Sequence, residues 1–443
     1  VNVCFLNRSY WPDTGATGQL LTELAEDLAA HHGMKVTVVT GPPLGANASI
    51  DLPRRQYRNG VDIIRARGTA LPPRRFAARA TNYLTYFAAA LIAARRLPPQ
   101  DVVIALTDPP VIGLAALAAR RERPFVFYCQ DVFPEVAALL QDFRSPTVDR
   151  LLERVNRLLL RRANAVVALG ETMATRLVDG KGADRSRISI IHNWADTTAI
   201  VPDAQRNPFS EAHGLAAKFV VLHAGNIGQS QNLDSVIDAA DELRHCDDVV
   251  FVFIGDGTGR ESLQAAAVAR GLDNVRFIPY QPREHLRWTY ATASVFVVSL
   301  KPGLAGYIVP SKLYGILASG RPYIAAVEDD SEVAEITRRH DCGIQIAPGN
   351  ARAMARAVLA LKDDPARREA MGARARDAST QFDRRRQVAA HAALLRRVSA
   401  ESAENAARGV RGEAVRGVRG EGGPRRTRRK RSAENGSPRR TIT

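Results

Sequence analysis

The order of apolar and polar positions divides this chain into short strand-like runs separated by stretches of helical spacing. Val1–Leu6, Lys35–Thr40, Val61–Arg65, Asp101–Leu106, Phe125–Tyr128, Ala165–Leu169 and Ile188–Ile191 are brief and mostly apolar, with many β-branched residues. Near-continuous apolar runs of this kind belong to strands covered on both faces. Between the first two, Leu20, Leu21, Leu24, Ala25 and Leu28 share one helical face. Strand and helix in alternation predict an α/β fold with a doubly wound parallel sheet. A polar stretch with two prolines, 202–214, reads as a hinge, and the pattern then restarts. Phe219–Leu222, Val249–Ile254, Val275–Ile278, Ser294–Leu300, Tyr323–Val327 and Gly343–Ile346 supply a second doubly wound domain. The expected organisation is a Rossmann-like domain over 1–200, a second over 201–382, a crossover helix over 383–400 and a disordered tail over 401–443.

In such folds ligands gather at the carboxyl ends of the strands. Three second-half strands end in turns that suit close backbone approach: Gly225-Asn226-Ile227-Gly228, Gly255-Asp256-Gly257, and the segment at Tyr280. Pro310, Ser311 and Lys312 open a short helix after another strand, which Gly320 and Pro322 close. Ser311 can cap it, and the free N–H groups of Leu313 and Tyr314 join Lys312 in an anion site. Lys312 can equally be a solvated lysine on a surface helix. In the first half, the loop holding Gly15, Thr17 and Gly18 precedes a helix end and can approach a ligand, or is a plain loop. Asp131 follows a strand, where it can orient or deprotonate a hydroxyl or cap the next helix.

The wording Pro310-Ser-Lys-Leu-Tyr-Gly-Ile-Leu-Ala-Ser-Gly-Arg-Pro322 resembles the donor segment of retaining glycosyltransferase family 4, of GT-B fold, in its capsule, colanic-acid and L-fucosamine transferase branch. Gln130-Asp-Val-Phe-Pro-Glu135 is similar to another segment of that branch, and the likeness extends over about residues 1–395. It implies two facing domains around a cleft and a UDP-sugar donor as co-substrate, with no other cofactor and no metal. Donor contacts would come from Gly15, Thr17, Gly18, Gly225, Asn226, Gly228, Asn232, Gly255, Asp256, Gly257, Tyr280, Pro310, Ser311, Lys312 and Leu313. Lys312 and Asp131 would be the catalytic pair. The implied acceptor is a lipid-linked glycan precursor in cell-surface polysaccharide assembly, with retention at the transferred carbon. Two departures matter: Gln231 and Asn232 stand where many members have a diphosphate lysine, and Tyr307 and Gly315 stand at the positions of two glutamates. Glu332 is the nearby carboxylate that could replace one of them, and a deoxy or N-acetylated sugar becomes the expected donor. A nucleotide-sugar 2-epimerase shares the architecture but needs cleft carboxylates and histidines that this sequence does not assemble.

Composition adds bounds. An apolar share of 45% with 24% charged residues is that of a globular chain with ample core, which argues against a disordered or fibrous protein. Cys4, Cys129, Cys246 and Cys342 lack metal-ligand spacing, so neither a disulfide framework nor a zinc site is expected. The opening strand without a charged leader, and apolar runs too short to span a bilayer, suggest a cytoplasmic protein. Residues 401–443 hold twelve Arg or Lys against five Glu, so +7 of the formal +16 lies in the tail. That tail could bind anionic lipid or nucleic acid, or be silent. Nucleic-acid binding by the folded part is not expected, since no stacking platform or helix-turn-helix pattern occurs. Residues 71–96 combine clustered arginines with apolar residues, as a core helix with solvated arginines does or as a helix lying on an anionic membrane does; the family likeness favours the membrane, at the inner face of the cell membrane.

Overall fold

In the computed structural model, residues 1–43, 50–69, 71, 76–140 and 145–420 are described. Among them the first half contains β1 (Asn2–Leu6), β2 (Lys35–Thr40), β3 (Arg55–Arg58), β4 (Val61–Arg65), β5 (Val102–Ala105), β6 (Phe125–Tyr128), β7 (Ala165–Ala168) and β8 (Ile188–Ile190). They form one sheet in the order β3-β4-β2-β1-β5-β6-β7-β8. Every pairing is parallel except the edge pair β3–β4. The four residues of each of β5, β6 and β7 are all buried, because helices cover both faces. β3 was not foreseen: its Arg-Gln-Tyr-Arg is polar and alternately exposed, as an edge strand tolerates.

The second half holds β9 (Phe219–Ala224), β10 (Val249–Ile254), β11 (Val275–Ile278), β12 (Val295–Ser299), β13 (Tyr323–Ala326) and β14 (Gly343–Ile346), all parallel, in the order β11-β10-β9-β12-β13-β14. The order reverses between β9 and β12, and a crevice opens at such a switch point. Residues 1–399 make one compact unit holding both sheets. Within it, the helix that begins at Arg384 lies on the first lobe: Arg384 grips Asp27 with two bonds of 2.7 and 2.6 Å, and His391 packs against Tyr128.

This helix runs from Arg384 to Gly420. Residues 401–420, read from sequence as disordered, are therefore helical. Ala, Glu and Arg are strong helix formers, and extending an existing helix is easier than nucleating one. The remainder of the tail, including the Arg425–Arg431 cluster, lies outside the described residues.

Candidate active site

The second-lobe glycine turns are built backbone against backbone. Gly225 N donates to Ile254 O at 2.8 Å, Ile227 N to Asp256 O at 2.9 Å, and Gly259 N to Ile227 O at 2.9 Å. A Cβ on Gly255 would lie 2.0 Å from Gly225 O, and one on Gly257 2.3 Å from Ile227 O. Both glycines have positive φ, +139° and +154°, so only glycine builds this pair of turns. The Asn226 side chain lies against both Gly228 and Gly257. Gln231 fills the space behind, its Oε1 accepting from Gly228 N at 3.2 Å.

Lys312 reaches these turns from the start of the helix that follows β12. Its Nζ lies 3.1 Å from His223 Nε2 and 3.8 Å from where a Cβ of Gly225 would stand. Burial pulls the ammonium down to about 7. Burial, then Lys312 itself, pushes the His223 imidazole well below its ordinary range, so His223 is neutral. Among the described residues Lys312 forms no ion pair with a carboxylate. Its helix, Lys312–Ala318, differs from expectation in one respect: the N–H groups of Leu313 and Tyr314 are not free but donate to Pro310 O (3.2 Å) and Ser311 O (3.3 Å), and Ser311 makes no side-chain cap bond. The first turn closes on itself with i to i+3 bonds, a common resolution of helix-end donors. Pro310 and Leu313 are buried beneath Lys312.

In the first lobe, Gly15 precedes the helix Ala16–His32 with open space around it, and Thr17 and Gly18 form its first turn. One turn on, Gln19 Nε2 donates to the hydroxyl of Tyr280 at 2.8 Å, so the predicted loops of the two lobes meet. Glu23, on the same helix, accepts from Trp194 Nε1 at 2.7 Å and pairs with Arg283. Asp131 lies three residues beyond the end of β6, and its neighbour Asp108 lies three residues beyond the end of β5. Asp131 N donates to Thr107 Oγ1 at 3.3 Å, and Asp108 accepts from Ser9 Oγ at 2.6 Å. Burial, then the charge of Asp108, holds the Asp131 carboxyl up at about 6. The following helix starts at Glu135, beyond the reach of a cap from Asp131.

Not every predicted residue joins this group. The amide of Asn232, whose backbone is left-handed, lies beside Gly349. Glu332 sits on the seam between the lobes: its carboxylate crowds Gly170, lies 3.4 Å from Thr172 Oγ1 and 3.5 Å from His192 Nδ1, and burial raises it to about 7. His223, Arg176, Glu23 and Asp108 were missed as site residues, because their partners are far away in sequence.

Residues 15–194 match the Glycosyl transferase 4-like domain and residues 205–378 match the family Glycosyl transferases group 1. The chain belongs to the family-4-like GT-B glycosyltransferases. This glycosyltransferase is 28% identical over 347 residues to the putative colanic acid biosynthesis glycosyl transferase WcaI of Escherichia coli K12, across 74% of this chain and 84% of that protein. It is 27% identical to the probable glycosyltransferase WbjE of Pseudomonas aeruginosa, across 58% and 65%. Sucrose-phosphate synthase of Thermosynechococcus elongatus shares its fold with a TM-score of 0.74 at 16% identity, over 90% of this chain and 99% of that one. Anabaena HepE, solved in complex with UDP-glucose, superposes with a TM-score of 0.65 at 17% identity, over 92% and 99%. The glycosyltransferase thus carries two Rossmann-like lobes, and the polar groups described above line their facing edges.

Proposed function

We propose that this glycosyltransferase moves a sugar from a UDP-sugar to a lipid-linked glycan precursor in cell-surface polysaccharide assembly, with retention. The observation that carries the donor half is Lys312: a half-buried cation beside two glycine turns with a neutral imidazole, not a carboxylate, as its neighbour. Leaving such a charge without a counterion is costly unless an anion completes the site. A pyrophosphate fits, and preorganised positive charge at a departing diphosphate is the largest catalytic term in transfers of this kind. HepE, of the same fold, is known with UDP-glucose, which supports uridine diphosphate as the leaving group. In this reading residues 201–382 hold the donor, without a metal, and residues 1–200 hold the acceptor.

Asp131 then receives or orients the acceptor hydroxyl, and its raised proton affinity suits a base working near neutral pH. The likeness to a colanic acid enzyme supports the polysaccharide context. Tyr307 and Gly315 leave no carboxylate at two donor positions, which supports a deoxy or N-acetylated sugar. The acceptor's lipid would be reached from the inner face of the membrane, along the basic helical face of the first lobe. Lys312→Ala tests the core of the proposal. UDP binding by calorimetry and UDP release from the UDP-sugar selected in a thermal-shift screen should show a loss of roughly 10²–10³-fold in turnover. Undiminished turnover would remove Lys312 from the mechanism.

A further inference from the structure

The loop from Lys301 to Ser311 leaves β12 and leads to Lys312 at the glycine turns, so first-lobe contacts to this loop set that lobe relative to the proposed donor site. Its own lobe holds it through Glu328, whose Oε2 accepts from Gly303 N at 2.9 Å and Ala305 N at 3.4 Å. The first lobe grips it as well. Val132 N donates to Tyr307 O at 3.0 Å, and Lys301 Nζ donates to Leu139 O at 2.9 Å. The strongest grip is Arg176, which opens a π-helical turn, Arg176–Gly180, after the short helix Glu171–Thr175. Its Nε donates to Ala305 O at 3.4 Å and its Nη2 pairs with Asp330 at 2.5 Å. The guanidinium lies 5.3 Å from the ring centre of Tyr307. Gly306, at φ +76°, makes room: a Cβ there would come within 2.7 Å of Arg176 Cγ.

We infer that Arg176 is a positioning residue that sets the acceptor lobe in register with the donor loop, fixing Asp131 relative to the transferred sugar. The inference rests on the donor site proposed above. A lone exposed ion pair fixes little, but a planar guanidinium that bonds a carbonyl, pairs with a carboxylate and covers a ring defines both distance and orientation. Val132, bonded to the same loop at Tyr307, is the immediate neighbour of Asp131. A shift of about 1 Å between reacting groups costs about 10²-fold in rate, so registration matters even where the contact adds little to folding.

The test reads the lobe spacing directly. Spin labels are placed at two exposed positions, by Glu122→Cys on the first lobe and Val268→Cys on the second, in a Cys246→Ser background; Cys4, Cys129 and Cys342 are buried. Arg176→Ala should broaden the interlobe distance distribution and lower UDP-sugar turnover about 10²-fold. It should leave UDP affinity within about twofold and the melting temperature within about 2 °C, since the second lobe makes the UDP contacts and the ion pair is exposed. Arg176→Lys keeps the charge but not the planar fork, and should recover only part of the rate. An unchanged distance distribution overturns the inference, whether or not UDP binds. Failure of UDP to bind the unsubstituted enzyme overturns the donor reading alone.

Discussion

At the scale of single residues, Lys312 makes opposite demands on stability and on binding. Its folded ammonium is lowered from 10.5 to about 7. Between those values the unfolded chain binds more protons than the folded one, so stability rises with pH across the window, and the full cost of the partly desolvated charge is felt below pH 7. Lys312→Met should therefore melt higher than wild type at pH 6 and lose that advantage by pH 10, as read by calorimetry. UDP affinity runs the other way: in wild type it should weaken by up to about tenfold per unit above pH 7, as the free amine loses its charge. In Lys312→Met that slope should vanish. Asp131 adds the acid limb. Arg8 and Ser9 face its partner Asp108, and Cys129 lies beside Asp131 itself. Asp108→Asn removes the like charge, so the acid limb of the pH–rate profile should move from about 6 toward more acidic values. The glycine turns were legible as close backbone turns after apolar strands, whereas the role of Lys312 rested on the family resemblance, since its residue type alone fits a solvated surface lysine equally well. His223 was not: it meets Lys312 across 89 residues of chain, and nothing local announces that contact.

At the scale of elements, turns and ion clusters decide more than helix propensity does. Gly255→Ala would push a methyl into Gly225 O at a φ of +139°, so it should destabilise by about 1–3 kcal/mol or more and abolish UDP binding, measured by denaturant unfolding and calorimetry. Lys181 is the other element-scale anchor. Its side chain is 2% exposed and joins Glu135 at 2.6 Å to Glu153, tying the helices Glu135–Leu140 and Pro146–Arg162 to the loop after the π turn. Lys181→Met takes the ion-pair partner from Glu135 and leaves Glu153 with Arg157. Because each carboxylate keeps over a quarter of its side-chain surface in water, the loss should fall near the lower end for broken buried pairs, about 3 kcal/mol, in urea unfolding. The parallel strands of both sheets were readable from their apolar runs. β3 was overlooked because burial, not pairing, dominates that signal, although Asn59-Gly60 between β3 and β4 is a strong hairpin cue; their φ values are +47° and +83°. The first turn of the helix at Lys312 was misread for a different reason. Sequence shows which donors lack an i−4 partner, not whether a tighter turn satisfies them.

At the scale of the whole molecule, the first lobe presents a basic and apolar face. No helix among the described residues is long and apolar enough to cross a membrane. The helix Phe76–Arg96 buries Tyr86 and Ala90 and exposes Leu84, Ala88 and Ile92, at i, i+4 and i+8, before exposed Arg95 and Arg96. Residues 72–75, part of the segment read as membrane-binding, lie outside the described residues. The helix Ile112–Ala119 packs against both this helix and Pro146–Arg162, which adds exposed Arg150, Leu151, Arg154, Arg161 and Arg162. A leucine or isoleucine moved from water into the acyl boundary gains about 1.5–3 kcal/mol, and each arginine near an anionic surface about 1 kcal/mol. In the proposed reading these contributions would give reversible attachment without a spanning helix. Sedimentation with phosphatidylglycerol vesicles should therefore exceed that with phosphatidylcholine vesicles by at least about tenfold, and fall at 0.5 M salt, where the Debye length is only about 4 Å. Leu84→Asp with Ile92→Asp should weaken attachment about tenfold or more, and should leave UDP affinity unchanged, because neither side chain belongs to the donor lobe. Equal sedimentation with both lipids would show that these arginines are merely solvated, and the acceptor would then have to reach the cleft from solution.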